Sequence, residues 1–273
     1  MKTKKCKILL RTLTIIVVIL TIIYPSIRSK INQKIHEDFI ENIGQHVLSA
    51  NVMIIQDNYK REKNGSTNSI SAGASGAIFR KEGNKYFLLT AAHVVESREN
   101  VDKTNIIVMG YNDLEFKDYL NNGGEYKGIS NYYEQFPRGE VEYYNEKYDL
   151  AVVSFYSDKD YKVLSISDKS PEYGDIVGTV SNPYGERNSI TAGKVVSRKP
   201  KPFGDESGKM QFPVIRHTAM ISEGSSGSAI LNKNLEIVGI NLGGNENIFR
   251  QYVSGMAMSS DRILDFLNEW ERK

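Results

Sequence analysis

The sequence predicts an all-β sandwich or barrel closed by one C-terminal helix. Three observations carry that prediction. From Asn51 onward, apolar runs of four to seven residues, rich in Val and Ile, alternate with polar turns containing Gly and Asn. No long helical periodicity interrupts them until residue 259. The chain, at 273 residues, is long enough to bury one large core or two half-sized ones.

The N-terminus has a different texture. Lys2, Lys4, Lys5, Lys7 and Arg11 precede the apolar run "TLTIIVVILTIIYPSI", Thr12 to Ile27. A spanning helix needs about 20 apolar residues. Adding Ile8 to Leu10, with Arg11 snorkelling to the interface, reaches that length. A cleaved signal peptide is the rival, but "YPSIRSK" offers no clear small-x-small cleavage site. Residues 1–30 are therefore expected to be an uncleaved membrane anchor. The basic residues preceding the run outnumber Arg28, Lys30 and Lys34 after it, so the N-terminus is expected inside and the remainder outside the cytoplasm.

Residues 31–48 follow as an amphipathic helical linker. Ile31, Ile35, Phe39, Ile43 and Val47 recur every four residues with charges between them. This stripe suits either packing on the same chain or a homo-oligomer. Residues 49–273 form the main domain. Its strands are read from "NVMIIQ", "GAIF", "YFLLTA", "NIIVMG", "LAVVSF", "IVGTV", "AGKVVS", "SAIL" and "EIVGINL". Residues 111–147 stand apart, holding seven of the sixteen tyrosines. They are expected to form a hairpin insertion with exposed edge strands, or else a wall of a binding cleft. The closing helix, "SSDRILDFLNEWERK", places Ile263, Leu264, Phe266, Leu267 and Trp270 on one side, with Ser259 or Ser260 as N-cap.

Charge narrows the partners. The net charge of +2 conceals an uneven distribution. Residues 1–34 hold eight basic residues and no acid, which leaves 27 basic against 33 acidic residues in the rest. The basic excess belongs to the N-terminus, so no nucleic-acid surface is expected. Cys6 is the single cysteine, which excludes an internal disulfide framework.

Chemistry concentrates at three points. In "EGSSGSAI", Ser226 lies between Gly224 and Gly227. Glycines there allow unusual backbone angles and leave amides free to face a developing oxyanion. Alone, such a cluster is usually a loop. In "YFLLTAAHVV", an apolar strand ends in two alanines and His93, which places the imidazole at a fixed point. His36 and His46 fall in the N-terminal helix, and His217 reads as structural. In "YDLAVVSF", Asp149 opens a strand between Tyr148 and Leu150, sheltered enough to hold an imidazole in one tautomer. The chain order His93, Asp149, Ser226 differs from that of α/β-hydrolases and subtilisins. No His, Cys and acid cluster calls for a metal, and no cofactor is expected.

Together these segments resemble the trypsin-like serine peptidases, closest to the bacterial HtrA proteases and the glutamyl endopeptidases. "TAAHVV" resembles their histidine motif and "YDLAVV" their aspartate motif. "SNPYGERNSITAGKVVSR" is similar to the hairpin before the serine segment. "SEGSSGSAILNKNLEIVGINLGG" resembles the nucleophile loop with its following substrate-pairing strand, and "GMAMSSDRILDFL" the closing strand and helix. The resemblance covers roughly residues 47–270. It implies two six-stranded antiparallel β-barrels, chymotrypsin-like, with a cleft between them. It implies a peptidase domain at 49–273 acting on a polypeptide substrate through Ser226, His93 and Asp149; since the chain ends soon after the closing helix, no PDZ domain is expected. Gly224, with the amide of Ser226, would form the oxyanion hole.

Departures from the family pattern refine this. Ser225 stands where trypsins carry the Asp of their activation switch, so no zymogen of that type is expected. Asn241, Leu242 and Gly243 lie on the implied substrate strand. Asn241 occupies the position of the glutamate-reading histidine and is uncharged. Met220 is expected at an apolar pocket floor. Apolar side chains are therefore expected at the cleaved position. The rival readings are a chymotrypsin-fold binding module that leaves its cleft catalytically unused, and a serine esterase on another fold.

Overall fold

The computed structural model describes the chain except for residues 1, 64, 72, 98–99, 203–209, 247–248 and 250, and except for the side chains of 2–20, 22–23 and 246. It divides into two compact units, Met1–Phe39 and Ile40–Lys273.

The first unit is helical. Helix α1 runs Lys2–His46, continuous across residues 30 and 31, and contains Pro25. A proline inside a helix removes one backbone donor and crowds the preceding turn. Gln33 Nε2 donates to Glu37 Oε1 at 2.8 Å, one turn on. Among the described residues no helix is long and apolar enough to cross a membrane. The expected anchor falls largely on residues whose side chains lie outside the described set.

The second unit holds the β structure. Strands β1 (Asn51–Glu62), β2 (Gly65–Ile70), β3 (Ala74–Glu82) and β4 (Lys85–Thr90) come first, then the single turn α2 (Ala92–Val95) and β5 (Lys103–Met109). Helices α3 (Phe116–Asn121) and α4 (Ile129–Glu134) precede β6 (Arg138–Asn145) and β7 (Leu150–Tyr156). The sheet order is β2-β1-β3-β4-β7-β6-β5, and β1 also pairs with β5. That second pairing closes a six-stranded ring and leaves β2 outside it. Strands β8 (Ile176–Ser181), β9 (Ser189–Lys194), β10 (Ile215–His217), β11 (Ala229–Leu231), β12 (Ile237–Glu246) and β13 (Tyr252–Ser259) follow. They form a six-stranded sheet in the order β10-β13-β12-β11-β8-β9. A bridge between Val195 and His217 joins its two edges. Two barrel-like sheets therefore stand where the family resemblance implies barrels.

Packing explains why the strands read as continuous apolar runs rather than strict alternations. Val152, Val153, Leu88 and Leu89 are all fully buried, although neighbours along a strand point to opposite faces. One face fills a barrel and the other is covered from outside. Helix α5 (Ser260–Glu271) supplies part of that cover. Its Trp270 ring packs 5.7 Å from Phe87 and 6.4 Å from Phe79. Each such buried side chain stabilises the fold by roughly 1.5–3 kcal/mol. Ile43 and Val47, the last two positions of the N-terminal apolar stripe, are buried too, whereas Ile31 is 54% exposed.

The tyrosine-rich segment differs from the expected hairpin. It folds as α3 and α4, and only β6 at its end is a strand, belonging to the first barrel. Tyr132 and Tyr133 pack with Met53, Ile55, Ile107 and Met109, flanked by Phe116, Tyr119 and Phe136. Aromatic spacing that reads as β propensity is here a helical cap on the β1–β5 face. Tertiary packing overrides propensity because large rings gain more from burial than from strand geometry. Burial pushes both phenols up to about 12. The Tyr132 hydroxyl donates to the Leu114 carbonyl. Tyr132→Phe is expected to cost about 1 kcal/mol in urea unfolding, since the ring stays and one hydrogen bond goes.

Candidate functional site

His93 is positioned by its backbone as well as its ring. It lies in the short turn α2, directly after β4, rather than on the strand itself. Gln56 on β1 anchors that turn, its Nε2 donating to the carbonyls of Val94 at 3.0 Å and Glu96 at 2.7 Å. Asp149 is the last residue of the tight β6–β7 turn and has φ of +50°. Asp tolerates this left-handed conformation better than most residues. The turn is tied to α5, because Tyr148 Oη and Asn145 Nδ2 donate to the Glu269 carboxylate at 2.7 and 3.1 Å.

The two residues meet through three contacts. Asp149 Oδ1 accepts the His93 backbone N–H at 3.0 Å. His93 Nδ1 lies 2.8 Å from Oδ2 and 3.1 Å from Oδ1. A carboxylate only accepts, so the proton sits on Nδ1 and Nε2 is left as a base. Desolvation pushes the imidazole pKa down, but the hydrogen bond and charge of Asp149 outweigh it, so the net shift is upward from 6.5.

Ser226 and Gly224 line the same cavity as His93, a cleft of about 230 Å³ that also includes Ile54, Gln56 and Glu223. Gly224 has φ of +92°, and a Cβ there would lie 2.5 Å from the Asn182 carbonyl. Glycine is required on both counts. Neither the Gly224 amide nor the Ser226 amide has a hydrogen-bond acceptor among the described residues. The Ser226 hydroxyl faces the Leu242 carbonyl at 3.4 Å. Leu242 sits at a bulge in β12, between Asn241 and Gly243 in the pairing with β13. A bulge re-aims the chain beside a site.

Two expected substrate residues have surroundings that the sequence does not show. Met220 is 60% exposed, and Thr191 Oγ1 donates to its carbonyl at 2.8 Å. Asn241 is fully buried and its polar atoms are bound to His217, Ser228 and Thr179, so it does not present an amide to the cleft.

Sequence reasoning missed Ser75. This fully buried serine of β3 joins the first sheet to the nucleophile loop. Its Oγ donates to the Gly224 carbonyl at 2.8 Å and accepts the Asn182 N–H at 2.9 Å. Its own N–H donates to the Ser226 carbonyl at 2.9 Å. The only local signal was a serine in "GASGA", indistinguishable from a loop serine without its partners.

Known proteins resemble this chain in both sequence and fold. Residues 74–240 match the model of the trypsin-like peptidase domain. The chain is similar to "Serine protease HTRA3" of Homo sapiens, 26% identical over 243 residues, covering 86% of this chain and 46% of that protein. It is similar to "Serine protease Do-like HtrA" of Bacillus subtilis, 26% identical over 212 residues, covering 75% of this chain and 41% of that one. The chain thus spans less than half the length of these relatives. The solved serine endoprotease from Yersinia pestis shares the fold, with a TM-score of 0.57 and 20% identity over 86% of this chain and 67% of its own.

Proposed function

Because the chain belongs to the trypsin-like peptidase domain family, we propose that it is a serine endopeptidase working through an acyl-enzyme. The observation that carries this reading is the His93–Asp149 contact at 2.8 Å with Ser226 in the same cavity. In this reading Ser226 Oγ attacks a substrate carbonyl while His93 Nε2 takes its proton. The tetrahedral oxyanion accepts from the amides of Gly224 and Ser226. His93 then returns the proton to the leaving amine as the C–N bond breaks, leaving an ester on Ser226. Water, deprotonated by the same imidazole, hydrolyses the ester and frees Ser226. Asp149 holds the ring and stabilises the imidazolium. The Ser226 hydroxyl turns from the Leu242 carbonyl toward His93 when substrate enters.

The acyl half of the substrate pairs with Leu242 and Gly243 on β12. Its side chain enters between Met220, Ile221 and Tyr252. Support for an apolar preference is the surface at this opening: the nearest atoms to a Cβ on Gly244 would be those of the Tyr252 ring and Ile221, at 3.7 and 3.9 Å. The domain works outside the cytoplasm, carried on residues 1–30 as an anchor. Support for that placement is the basic flank before the apolar run in the sequence.

Fluorophosphonate treatment of the full chain tests the reading. One covalent adduct is expected, mapped by peptide mass to Ser226. Absence of any adduct on folded protein would refute it in favour of a binding module.

A further inference from the structure

Among the described residues His217 is the most deeply buried titratable group outside the cleft. It is fully buried, and burial holds its pKa down to about 4, so the ring is neutral under ordinary conditions. Its Nε2 lies 2.8 Å from Asn241 Oδ1. From Asn241 a line of hydrogen bonds leads to the nucleophile loop. Asn241 Nδ2 lies 2.8 Å from Ser228 Oγ, and Ser228 Oγ lies 2.7 Å from the Ser225 carbonyl.

The direction of every bond in this line follows from its end. A backbone carbonyl only accepts, so the single Ser228 hydroxyl proton goes to Ser225. Ser228 Oγ must then accept from Asn241, which orients the amide with Nδ2 toward Ser228 and Oδ1 toward His217. The histidine must therefore donate from Nε2. Its Nδ1 is then the unprotonated nitrogen; this buried atom makes no well-formed hydrogen bond, and the Ala219 backbone lies beside the ring. Thr179 fits the same order: its Oγ1 accepts from Asn241 Nδ2 at 3.3 Å and donates to Ser228 Oγ at 3.2 Å.

The line ends on the peptide unit that carries the Ser226 amide. The Ser225 carbonyl accepts from Ser228 twice, from Oγ at 2.7 Å and from N–H at 3.1 Å. A trans peptide is planar, with C=O and N–H pointing opposite ways. Pinning the Ser225 oxygen inward therefore aims the Ser226 N–H away from the core. The backbone of Asn241 reinforces this, since its carbonyl accepts from Gly227 N–H at 2.7 Å and its N–H donates to the Ser228 carbonyl at 2.9 Å.

We propose that His217 is a positioning residue that, through Asn241 and Ser228, orients the Ser225–Ser226 peptide so that its N–H serves as an oxyanion donor. This rests on the serine peptidase reading above. Asn241 thereby acts behind the nucleophile rather than on the substrate side chain. Aligned donors polarise one another, so a break at the far end is felt at the near one.

The test compares His217→Leu, which cannot donate, with His217→Gln, whose side-chain amide can. Ser228→Ala cuts the same line nearer the site and serves if either histidine variant fails to fold. Each full-length protein is titrated with a fluorophosphonate to separate the maximal inactivation rate from the apparent affinity, alongside a thermal melt. Complete loss of an oxyanion donor costs ~100-fold or more. Misaiming one is expected to lower the maximal rate of His217→Leu and Ser228→Ala by about 10- to 100-fold, with affinity kept. His217→Gln is expected to recover most of that loss. Folded His217→Leu and Ser228→Ala that react at the unsubstituted rate overturn the proposal and leave the peptidase reading standing. Failure of the unsubstituted chain to react at all removes both. Equal rate losses in the Leu and Gln variants would show a packing effect and overturn the donor role.

Discussion

Asp149→Asn is expected to lower turnover by about 10⁴-fold while leaving the fold intact, a loss of the size seen when an orienting acid is replaced by its amide. The reason lies in the three contacts the carboxylate makes. Oδ1 accepts the His93 N–H at 3.0 Å, and the carboxylate receives Nδ1–H at 2.8 Å. An asparagine can satisfy the backbone donor with its oxygen. Its amide then offers hydrogens to Nδ1, which favours the tautomer with the proton on Nε2, where the base is needed. The pH profile should move as well, and its sign is determined. His93 works only when neutral, so kcat/KM falls as pH drops through its pKa. In the native chain that pKa lies above 6.5, because the bond and charge of Asp149 outweigh desolvation. Without the charge, desolvation dominates and the acid limb shifts to lower pH. A pH series of fluorophosphonate labelling rates measures both effects. An unchanged acid limb would show that Asp149 does not set the imidazole's protonation.

Gly227→Ala is expected to be the most damaging single methyl in the nucleophile loop. Gly227 has φ of +86°, where an L side chain costs ~1–2 kcal/mol. Its Cβ would lie 2.1 Å from Thr90 Oγ1 and 2.2 Å from the Ser75 carbonyl. These two groups are bonded to each other at 2.8 Å and both are fully buried, so neither can move cheaply. Overpacking of this kind adds ~1–3 kcal/mol, for a total of about 2–5 kcal/mol. In a domain of this length that lowers the melting temperature by roughly 10 °C. Labelling of Ser226 should be lost even below the new melting point, because relief of the clash must displace the Ser75 contacts that hold the loop. A melt within a degree or two of the native value would contradict the tight packing between β3 and the loop.

The strand runs and the three chemical motifs were legible because each is local. An apolar run such as "YFLLT" needs only its own residues to be read as β4, and a glycine-flanked serine announces its turn without a partner. The chain order of His93, Asp149 and Ser226 added a constraint that no single motif carries. The closing helix was equally local: Ile263, Phe266 and Leu267 are buried as their spacing requires.

Other features depended on contacts distant in sequence. The tyrosine-rich segment became a helical cap because Met53 and Ile107, far along the chain, offered its rings an apolar face. Strand β6 was hidden in the same segment, since its exposed residues carry no run of their own. The surroundings of Met220 and Asn241 were equally hidden, the first exposed and the second buried among polar partners. Asn241 turned inward because His217 supplied the one donor its oxygen needed, from 24 positions away. The sequence by itself determined the β-rich class, the strand texture and the residue types able to do acyl-transfer chemistry, because hydrophobic pattern and turn chemistry act over a few residues. Only the tertiary structure decided which polar groups meet, because a buried hydrogen bond is selected by the cost of leaving its partner unpaired, and that partner is chosen by the fold.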